Sequence, residues 1–576
     1  MSEPDGRVHR TLRRSSGPVV LGALASVVVL VTIVSSALGW GFGGGSGVDP
    51  AVGFPAGDQQ PGAVADSYTT ANVGTLAVSA SGGVLANDTG GPLQLISHTD
   101  PAHGSLTLNP NGSFEYVPQA GYTGTDSFTY TVANAVHLYT THLPSLGQFG
   151  GINVTAGGYG SSLYPDPGHP GFFYGLEDRG PNVAAPDGSQ VEPIPSYDPA
   201  IGLFRLVGDS AVRVRNIPLE DSSGHPYSGL VNSQNPTGEK IEDLGGNVLA
   251  DDPNGYDSEG LVAVPDGTFW VSDEYGPFIT HFDHDGRAIQ RLSPPDGTLP
   301  EELKFRVPNR GLEGLTITPD GKELVACMQS ALQQTDLNGS NAKNLVPVRI
   351  VTYSPRSHAL HEYLYLLHDP KTNGTAVSEL TALSDTTFLV DERDGNFPAA
   401  NVYKRLWKID LAGATDVGPD STVPGASYDG GAGGLLIGGK TIEKTVVGEN
   451  TAAATATLAS EQITPVSSTQ FIDLDALLLS LDPQARFYSH DKIEGVAALH
   501  DGHEIVISND SDFGITGVTG AGGSSSPPWT LVPKISPATG KQDDGEYLAI
   551  DMDRVNPSTS TAANSTATVT INVSNG

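Results

Sequence analysis

The sequence predicts an all-β protein in which a β-propeller of six or seven blades is inserted into, or follows, a small β-sandwich. Three observations lead to this prediction. The chain of 576 residues contains 71 Gly and 42 Pro without a collagen-like period, a composition typical of short strands joined by turns. Residues near position 110 alternate as strands do. Four later segments repeat one pattern of strand, turn and strand.

The charge balance indicates which classes of molecule the protein can bind. The chain carries 30 Lys and Arg residues against 65 Asp and Glu, which gives a formal net charge of −35. Nucleic acid is not an expected partner, because phosphate backbones are bound by basic faces. Acidic side chains suit divalent cations instead. Cys327 is the only cysteine, so the chain cannot form an internal disulfide.

The N-terminus has the pattern of an export signal. A basic segment over residues 1–18 precedes an apolar run over 19–40, and a Gly/Pro-rich linker follows over 41–61. The run is long enough to cross a bilayer. Its basic flank predicts a cytoplasmic start, with everything downstream extracellular or at the cell surface. The run is either a cleaved signal peptide or a transmembrane signal anchor, and it is the only membrane contact that we expect.

The β-sandwich is predicted for residues 62–135. The segment 105–117 reads as strand, Asn-Gly turn and strand, which is a strong hairpin signal. The segment 126–132 alternates as a further strand. With the stretch 83–89, these segments closely resemble the bacterial cadherin-like, Ig-like repeats of surface proteins. The resemblance implies an Ig/cadherin-like fold and cell-surface ligands as partners.

The last strand of such a repeat is missing after Val132. A stretch of Thr/Val alternation over 565–573 is a good candidate for it. A sandwich without an edge strand leaves an unpaired ladder. We therefore expect residues 137–556 to be a second domain inserted into the last hairpin, with a Ser/Thr-rich linker and return strand over 557–576. A separate strand that only resembles the end of the sandwich is the alternative.

The inserted region contains self-similar segments. Each has a Glu, an apolar strand, an Asp-centred turn, a second apolar strand and usually an acidic or amide end. The copies run over 259–274, 313–329, 379–392 and 494–510, with a degenerate copy over 162–178. Such spacing of short strands predicts a propeller with four-stranded blades, and about 420 residues suit six or seven of them.

The repeat also predicts where its acidic residues meet. A hairpin brings the start of its first strand and the end of its second to one edge of the blade. Repetition around a ring gathers these carboxylates at one rim, where they repel one another unless they are protonated or bridged by cations. Oxygen-rich clusters favour Ca²⁺, although any single acid is equally explained as a solvated turn residue. The candidate metal ligands are Glu177, Asp178, Glu259, Asp273, Glu313, Glu379, Asp391 and Glu494.

Basic residues are scarce, yet several lie inside these motifs. Cations among carboxylates suit an anionic ester, since Arg forks match phosphate oxygens. We therefore expect a phosphorylated small molecule or another anionic ester as substrate. The candidate substrate-binding residues are Arg179, Arg310, Arg393 and Lys492. The candidate catalytic residues are Glu274, Glu392 and Asp510, with Glu274 or Glu392 as the general base.

Motifs over 175–182, 257–261, 270–277, 309–315, 389–394 and 492–496 occur in order along most of residues 145–550. Together they resemble the phytase-like family, described by an esterase-like activity of phytase. The resemblance implies a metal-dependent phosphoric ester hydrolase, through the same recurring Glu and Asp residues. Two departures stand out. Leu380 stands where the other repeats have Gly, and the second repeat ends in Gln329 rather than an acid.

Other classes of function also fit these residues. The propeller is equally consistent with a non-catalytic, calcium-stabilised binding module of an adhesin. A calcium-dependent lactonase-type hydrolase is a further alternative, because such propellers also place Glu, Asn and Asp around one cation. The sequence contains neither a Ser nucleophile elbow nor a His-Glu-x-x-His motif, which argues against those two kinds of hydrolase.

Overall fold

The computed structural model describes Phe54 and residues 59–576. The predicted export segment over 19–40 lies outside the described residues. Within them, no helix combines the length and the apolar character that a membrane span requires.

The N-terminal domain is a β-sandwich of two sheets. Alternating side chains point into one core between the sheets, formed around Phe114, Tyr116, Phe128 and Tyr130. The four-stranded sheet contains, in spatial order, Asp66–Ala71, Asn564–Ser574, Gly124–Ala133 and Gln94–His98. The three-stranded sheet contains Leu76–Val78, Phe114–Pro118 and Gly104–Leu108.

The C-terminal strand Asn564–Ser574 lies inside the larger sheet of the sandwich. It pairs antiparallel with Gly124–Ala133 along its length and parallel with Asp66–Ala71. Val569 and Ile571 are fully buried in the sandwich core. The propeller therefore occupies the chain between two adjacent strands of this sheet. The sandwich is built from the segments that precede and follow the propeller in the sequence.

Five four-stranded antiparallel blades form the propeller in the part of the chain that the structure describes. Blade 1 contains Ser162–Pro165, Phe172–Leu176, Ala200–Val207 and Ser210–Pro218, and blade 2 contains Ser258–Ala263, Phe269–Asp273, Phe278–Phe282 and Ala288–Leu292. Blade 3 contains Leu312–Ile317, Leu324–Met328, Pro347–Tyr353 and Leu360–Leu366, and blade 4 contains Ala376–Ala382, Thr387–Arg393, Lys404–Asp410 and Ser467–Asp473. Blade 5 contains Ile493–Leu499, Glu504–Asn509, Glu546–Asp551 and Val136–Thr141.

The ring is closed by the two ends of the propeller sequence. The outermost strand of blade 5, Val136–Thr141, precedes the whole propeller in sequence and pairs antiparallel with Glu546–Asp551. It also forms a short parallel contact with the outermost strand of blade 1. The first strand of every blade is the innermost, and each contacts the first strands of its two neighbours around the axis. This arrangement needs no separate closing segment.

Five blades are described where the length suggested six or seven. The difference arises because long connections take up chain without adding blades. Residues 411–466 separate the last two strands of blade 4 and form a hairpin and two of the helices. The further short strands outside the blades are Gly147–Phe149, Ile152–Val154, Val183–Ala184, Gln190–Val191, Ile241–Glu242, Ala426–Asp429, Gly434–Ile437, Ile515–Gly520, Trp529–Pro533, Val555–Asn556 and Thr561–Ala562.

Helices are few and short. They span Pro370–Asn373, Ile442–Thr445, Thr451–Ser460 and Leu474–Leu481. The last is preceded by Asp473, whose side chain accepts a 3.0 Å hydrogen bond from the backbone N–H of Ala476, as an N-cap residue does. Its leucines are buried with Ile96 and Ala133 of the sandwich and with blades 4 and 5. Apolar burial between the two domains therefore fixes the sandwich against the propeller.

Candidate functional site

A β-bulge at the start of the innermost strand turns an acidic side chain into a cavity at one end of the propeller. In blade 2, Ser258 pairs with Asp273 and Leu261 with Val271, so two residues face one on the partner strand. Bulges re-aim a side chain where strand pairing ends. Glu259 lies in this bulge and lines the cavity. Bulges at the same place in blades 3 and 5 bring Glu313 and Glu494 there as well.

A second polar position recurs at the end of the hairpin that the first two strands of a blade form. In each blade it is the residue that follows the strand partner of the residue before the bulge: Glu274 in blade 2, Gln329 in blade 3, Arg393 in blade 4 and Asp510 in blade 5, and all four line the cavity. Asp178, which follows the second strand of blade 1 by two residues, lines it too. All five blades therefore contribute a polar side chain to one rim.

The cavity is small and strongly charged. It encloses about 250 Å³, and nine carboxyl groups and four basic groups line it, which leaves five formal negative charges in excess. An anion would be repelled by such a site unless cations or protons offset the excess. The acidic lining residues are Asp178, Asp257, Glu259, Glu274, Glu313, Asp394, Glu494, Asp510 and Asp512.

Blade 4 is offset by one residue from the repeat as the sequence suggested it. Val377 pairs with Glu392, and Glu379 pairs with Asp391, so Ser378 is the bulged residue. Ser378 lines the cavity and takes the place of Glu259, while Glu379 takes the place of the glycine that follows. The residue that replaces the glycine of the other repeats is therefore Glu379, and not Leu380 as the sequence pattern indicated.

The structure does not place Glu392 in the cavity. Its carboxylate accepts hydrogen bonds from Tyr365 Oη at 2.8 Å, Thr375 Oγ1 at 2.9 Å and the backbone N–H of His368 at 3.0 Å. The imidazole Nδ1 of His368 lies 2.9 Å away. A buried carboxylate that accepts this many hydrogen bonds holds the surrounding segments together and is poorly suited to act as a general base.

Glu177, Asp273 and Asp391, three of the expected metal ligands, are buried outside the cavity lining. The Glu177 carboxylate accepts hydrogen bonds from Tyr197 Oη at 2.6 Å and from the backbone N–H of Ala200 at 3.0 Å. Asp273 accepts from the backbone N–H groups of residues 257 and 276. These two acids therefore hold loops. Asp391 lacks a hydrogen-bond partner among the described residues, and burial raises its pKa to about 8.

Asp257 is a cavity residue that the sequence analysis did not single out. It lies two positions before Glu259, and alternation along a strand puts such residues on one face. Oxygens of Asp257, Glu259 and Glu274 lie within 4.8 Å of one another. The motif Asp-Ser-Glu, present in the sequence, was the available signal.

Several of the buried carboxylate oxygens in this part of the cavity have no hydrogen-bond donor. Glu274 is 0% exposed, and neither of its oxygens accepts a hydrogen bond from an N–H or hydroxyl donor among the described residues. Its carboxyl group lies within hydrogen-bond reach of that of Glu313. Asp257 Oδ2 and Glu313 Oε2 also accept no hydrogen bond from an N–H or hydroxyl donor there. Burial raises the pKa of Glu274 well above its ordinary value, and the charge of Glu313 raises it further. Burial and Glu313 raise the pKa of Glu259 in the same way.

Unpartnered carboxylate oxygens this close together fit a hard divalent cation. Ca²⁺ takes several oxygen ligands, from carboxylates in particular. Without a cation, the group is stable only if it holds protons, as the raised pKa values indicate. Asp257, Glu259 and Glu274 are therefore the residues suited to hold a metal ion, with Glu313 beside them.

Three of the four cavity cations are already paired with acids of the protein. Arg393 forms an ion pair with Glu494. Lys492 Nζ lies 2.8 Å from Asp510 Oδ2 and 2.6 Å from Asp512 Oδ1. The guanidinium of Arg179 lies 3.7 Å from Asp257 Oδ2 and donates a hydrogen bond to Tyr275 Oη.

Arg310 is different: within residues 59–576 its guanidinium forms no ion pair shorter than 4.0 Å and no side-chain hydrogen bond, although the charges of Glu274 and Glu313 act on it from a greater distance. Its loop is held closely against blade 2. A Cβ on Gly311 would lie 2.3 Å from the carbonyl oxygen of Glu274, so only glycine permits this approach. The Arg306 Nε donates a 3.0 Å hydrogen bond to the same carbonyl. The loop thus presents a free cation beside the unpartnered carboxylates.

Two family models match the chain. A phytase-like model, described as "Esterase-like activity of phytase", matches residues 155–513, and a bacterial Ig domain model matches residues 58–142. An "Uncharacterized secreted protein" of Arthroderma benhamiae is 33% identical over an alignment of 185 residues, with 26% of this chain and 36% of that protein covered. The chain thus spans about a third of this relative's length.

Solved propeller structures are similar at low identity. A luciferin-regenerating enzyme is 10% identical, with 83% of this chain and 95% of that chain covered and a TM-score of 0.27. The β-propeller domain of Myceliophteria thermophila Cps50 (Swd1) is 9% identical, with 77% of this chain and 100% of that chain covered and a TM-score of 0.23.

Proposed function

The chain belongs to the phytase-like family described as esterase-like activity of phytase, and from this premise we propose that it is an exported hydrolase of phosphate esters or related anionic esters. The observation that carries the proposal is the cavity at the end of the propeller. It combines buried carboxylates that lack partners with a free guanidinium, that of Arg310.

A divalent cation is the second part of the proposal. Asp257, Glu259 and Glu274 would hold it, and Ca²⁺ is the ion that best fits a set made of carboxylates. When bound, such an ion supplies Lewis acidity and offsets the negative charge of a phosphoryl group. It would also explain how a cavity with an excess of acids accepts an anionic substrate.

Arg310 is the residue that we propose to bind the substrate anion. Its guanidinium does not have to break an ion pair first, whereas Arg393 and Lys492 are already engaged. An Arg fork can donate two parallel hydrogen bonds to phosphate oxygens. Arg393 and Lys492 then contribute positive potential from the other blades rather than the primary contact.

Glu274 is the proposed general base. Its oxygens accept no hydrogen bond from an N–H or hydroxyl donor, and the neighbouring carboxyl group of Glu313 shares its site, so it can accept a proton from an attacking water. Asp510 is less suited, because its Oδ2 lies 2.8 Å from the ammonium of Lys492. Glu392 is not proposed for this role, because it lies outside the cavity lining.

Export is supported by two separate observations. The matching relative is named a secreted protein, and the N-terminal domain matches a bacterial Ig domain model. The basic and apolar segments before residue 41 agree with this location. We therefore place the enzyme outside the cytoplasm, secreted or anchored through that N-terminal segment.

A non-catalytic, calcium-stabilised binding propeller is the second candidate. It is favoured by one observation: three of the four cavity cations are neutralised by neighbouring acids. Such pairing leaves the site closer to a cross-linked structural cluster than to an open anion pocket.

The test uses the full-length chain, treated with a chelator and then supplied with Ca²⁺ or Mg²⁺. Release of inorganic phosphate is measured from phytate, p-nitrophenyl phosphate and bis-p-nitrophenyl phosphate. We expect Ca²⁺ to restore turnover in the wild type and in Glu301→Gln, an exposed control. Glu274→Gln should lose it. A calcium-dependent rise in melting temperature without phosphate release from any ester would instead support the binding propeller.

A further inference from the structure

A continuous line of ion pairs leads from the cavity to a buried lysine outside it. Lys492 Nζ contacts Asp512 Oδ1 at 2.6 Å within the cavity lining. The other oxygen of the same carboxylate, Asp512 Oδ2, lies 2.6 Å from Lys534 Nζ. Asp512 is therefore held from both sides by ammonium groups.

Lys534 is 2% exposed and does not line the cavity. Besides Asp512, its ammonium lies 2.6 Å from Asp491 Oδ1 and 3.4 Å from Asp543 Oδ2. Three carboxylates thus surround a group that has three N–H donors. Desolvation of this ammonium would be costly without them, and together they hold it in one place.

The carboxylates around Lys534 are themselves fixed. Asp543 Oδ1 lies 2.6 Å from Nδ1 of His490, whose Nε2 lies 3.0 Å from Glu546 Oε2 in blade 5. The backbone N–H of Asp543 donates to the carbonyl of Lys534, and the N–H of Lys534 donates to the carbonyl of Gly514. The lysine is consequently anchored to the blade 5 framework rather than to a mobile surface.

We propose that Lys534 is a positioning residue for anion binding: it fixes Asp512, and through Asp512 it holds the ammonium of Lys492 at the cavity wall. This inference rests on the proposed function. A lysine side chain is long and flexible, and a rigid carboxylate partner removes most of its freedom before the substrate arrives. Preorganisation of this kind improves affinity by reducing the entropy lost on binding.

The test is a double-mutant cycle on the full chain, with inorganic phosphate as the probe and calorimetry in the presence of Ca²⁺ as the readout. Lys534→Met should weaken phosphate binding by about tenfold, on the scale of one fixed cation. In a chain that already carries Lys492→Met, the same change should have no further effect, because Lys534 acts through Lys492. Lys541→Met, an exposed lysine on the same segment, should bind as the wild type does.

Loss of three buried ion pairs also lowers stability, so melting temperatures are recorded for each variant. If Lys534→Met does not fold, Lys534→Gln removes the charge but keeps N–H donors for the buried carboxylates, and should weaken phosphate binding in the same direction. Equal phosphate affinity in folded Lys534→Met and wild type would overturn the positioning role alone. Effects that add in the Lys492→Met background would overturn it as well. A wild type that binds no phosphate would remove the proposed function, and with it this inference.

Discussion

Ser162 donates a 2.5 Å hydrogen bond from its Oγ to Glu379 Oε2, and so joins the innermost strands of blades 1 and 4, which are not neighbours in the ring. Both residues occupy the place where blades 2, 3 and 5 have glycine. The other oxygen of Glu379 accepts a 2.9 Å hydrogen bond from the backbone N–H of Leu380. Burial raises the pKa of Glu379 well above its ordinary value, although these donors lower it. The carboxyl group of Glu379 thus fills the space at the propeller axis, and its raised pKa favours the neutral form.

Removal of the Ser162 hydroxyl should destabilise the propeller without touching the cavity. Ser162→Ala leaves a buried carboxyl group short of a partner, which costs about 1–3 kcal/mol. Glu379→Gln should cost much less, because an amide resembles the neutral acid. Differential scanning calorimetry of these variants, with the exposed Ser222→Ala as control, measures both. Equal stability of Ser162→Ala and the control would show that the hydrogen bond contributes nothing.

The offset of blade 4 shows what a sequence pattern cannot resolve. Apolar alternation identifies the two strands of each hairpin, but a bulge is visible only in the pairing of the strands. The sequence pattern therefore predicts that the third copy starts at Glu379 and ends at Glu392, whereas the strand pairing puts Ser378 and Arg393 at these places. Both shifts have one cause, since Ser-Glu stands in blade 4 where other blades have Glu-Gly.

The cavity itself was largely predictable. Glu259, Glu313 and Glu494 recur in the sequence before an apolar strand, and the hairpin geometry alone puts them at one rim. Asp257 was not predicted, because it precedes the repeated unit. The number of blades was not predictable from length, since residues 411–466 take up chain between two strands of blade 4 without adding a blade.

Stability without metal should fall as pH rises. Burial raises the pKa of Glu177 to about 7 and that of Asp391 to about 8 in the folded protein. The folded state therefore holds more protons than the unfolded state between about pH 4 and pH 8, so unfolding becomes easier by about 1.4 kcal/mol per pH unit for each proton. Melting temperatures of chelated protein at pH 5, 6, 7 and 8 test this decrease. A melting temperature that rises across this range would contradict it.

Calcium should counter that loss, and more strongly at higher pH. Glu259 and Glu274 have pKa values well above the ordinary range, and a cation must displace their protons in order to bind. At pH 8 we expect Ca²⁺ to raise the melting temperature by several degrees, and at pH 5 by much less. Glu274→Gln should abolish the rise, while Glu301→Gln should keep it. An equal effect of Ca²⁺ at both pH values would show that no proton is displaced.

Glu392→Gln separates a structural carboxylate from a catalytic one. The substitution replaces one acceptor oxygen with an NH₂ group, which cannot accept the hydrogen bonds that neighbouring groups donate. We therefore expect a loss of about 1–3 kcal/mol in the free energy of unfolding. The kcat for phosphate release, measured well below the melting temperature, should stay within about twofold of the wild type. A general base would behave differently, since its loss lowers kcat by about 10²-fold or more. A drop of that size would return Glu392 to the catalytic residues.

The C-terminal strand should be essential to the N-terminal sandwich. Ile571 is fully buried in the sandwich core, and Ile→Ala in such a place costs about 2–5 kcal/mol. Ile571→Ala should therefore lower the melting transition of the sandwich, whereas Thr568→Ala, exposed on the same strand, should not. Calorimetry of the full chain resolves the transitions. An unchanged profile for Ile571→Ala would mean that the sandwich is stable without this strand.

Arg310 and Arg393 should respond differently to the loss of charge, although both line the cavity. Arg393 is paired with Glu494, so Arg393→Met leaves that buried carboxylate with only Lys492 Nζ, at 4.0 Å, and should lower the melting temperature as well as phosphate affinity. Arg310 has no such partner, so Arg310→Met should weaken phosphate binding by about tenfold with little change in melting temperature. Arg310→Lys keeps the charge but loses the two-pronged donor geometry, and should give an intermediate affinity. Calorimetric titration with phosphate in the presence of Ca²⁺ orders the three variants. Phosphate affinity unchanged in Arg310→Met would mean that the free guanidinium does not contact the anion, and the paired cations would then have to open their ion pairs to bind it.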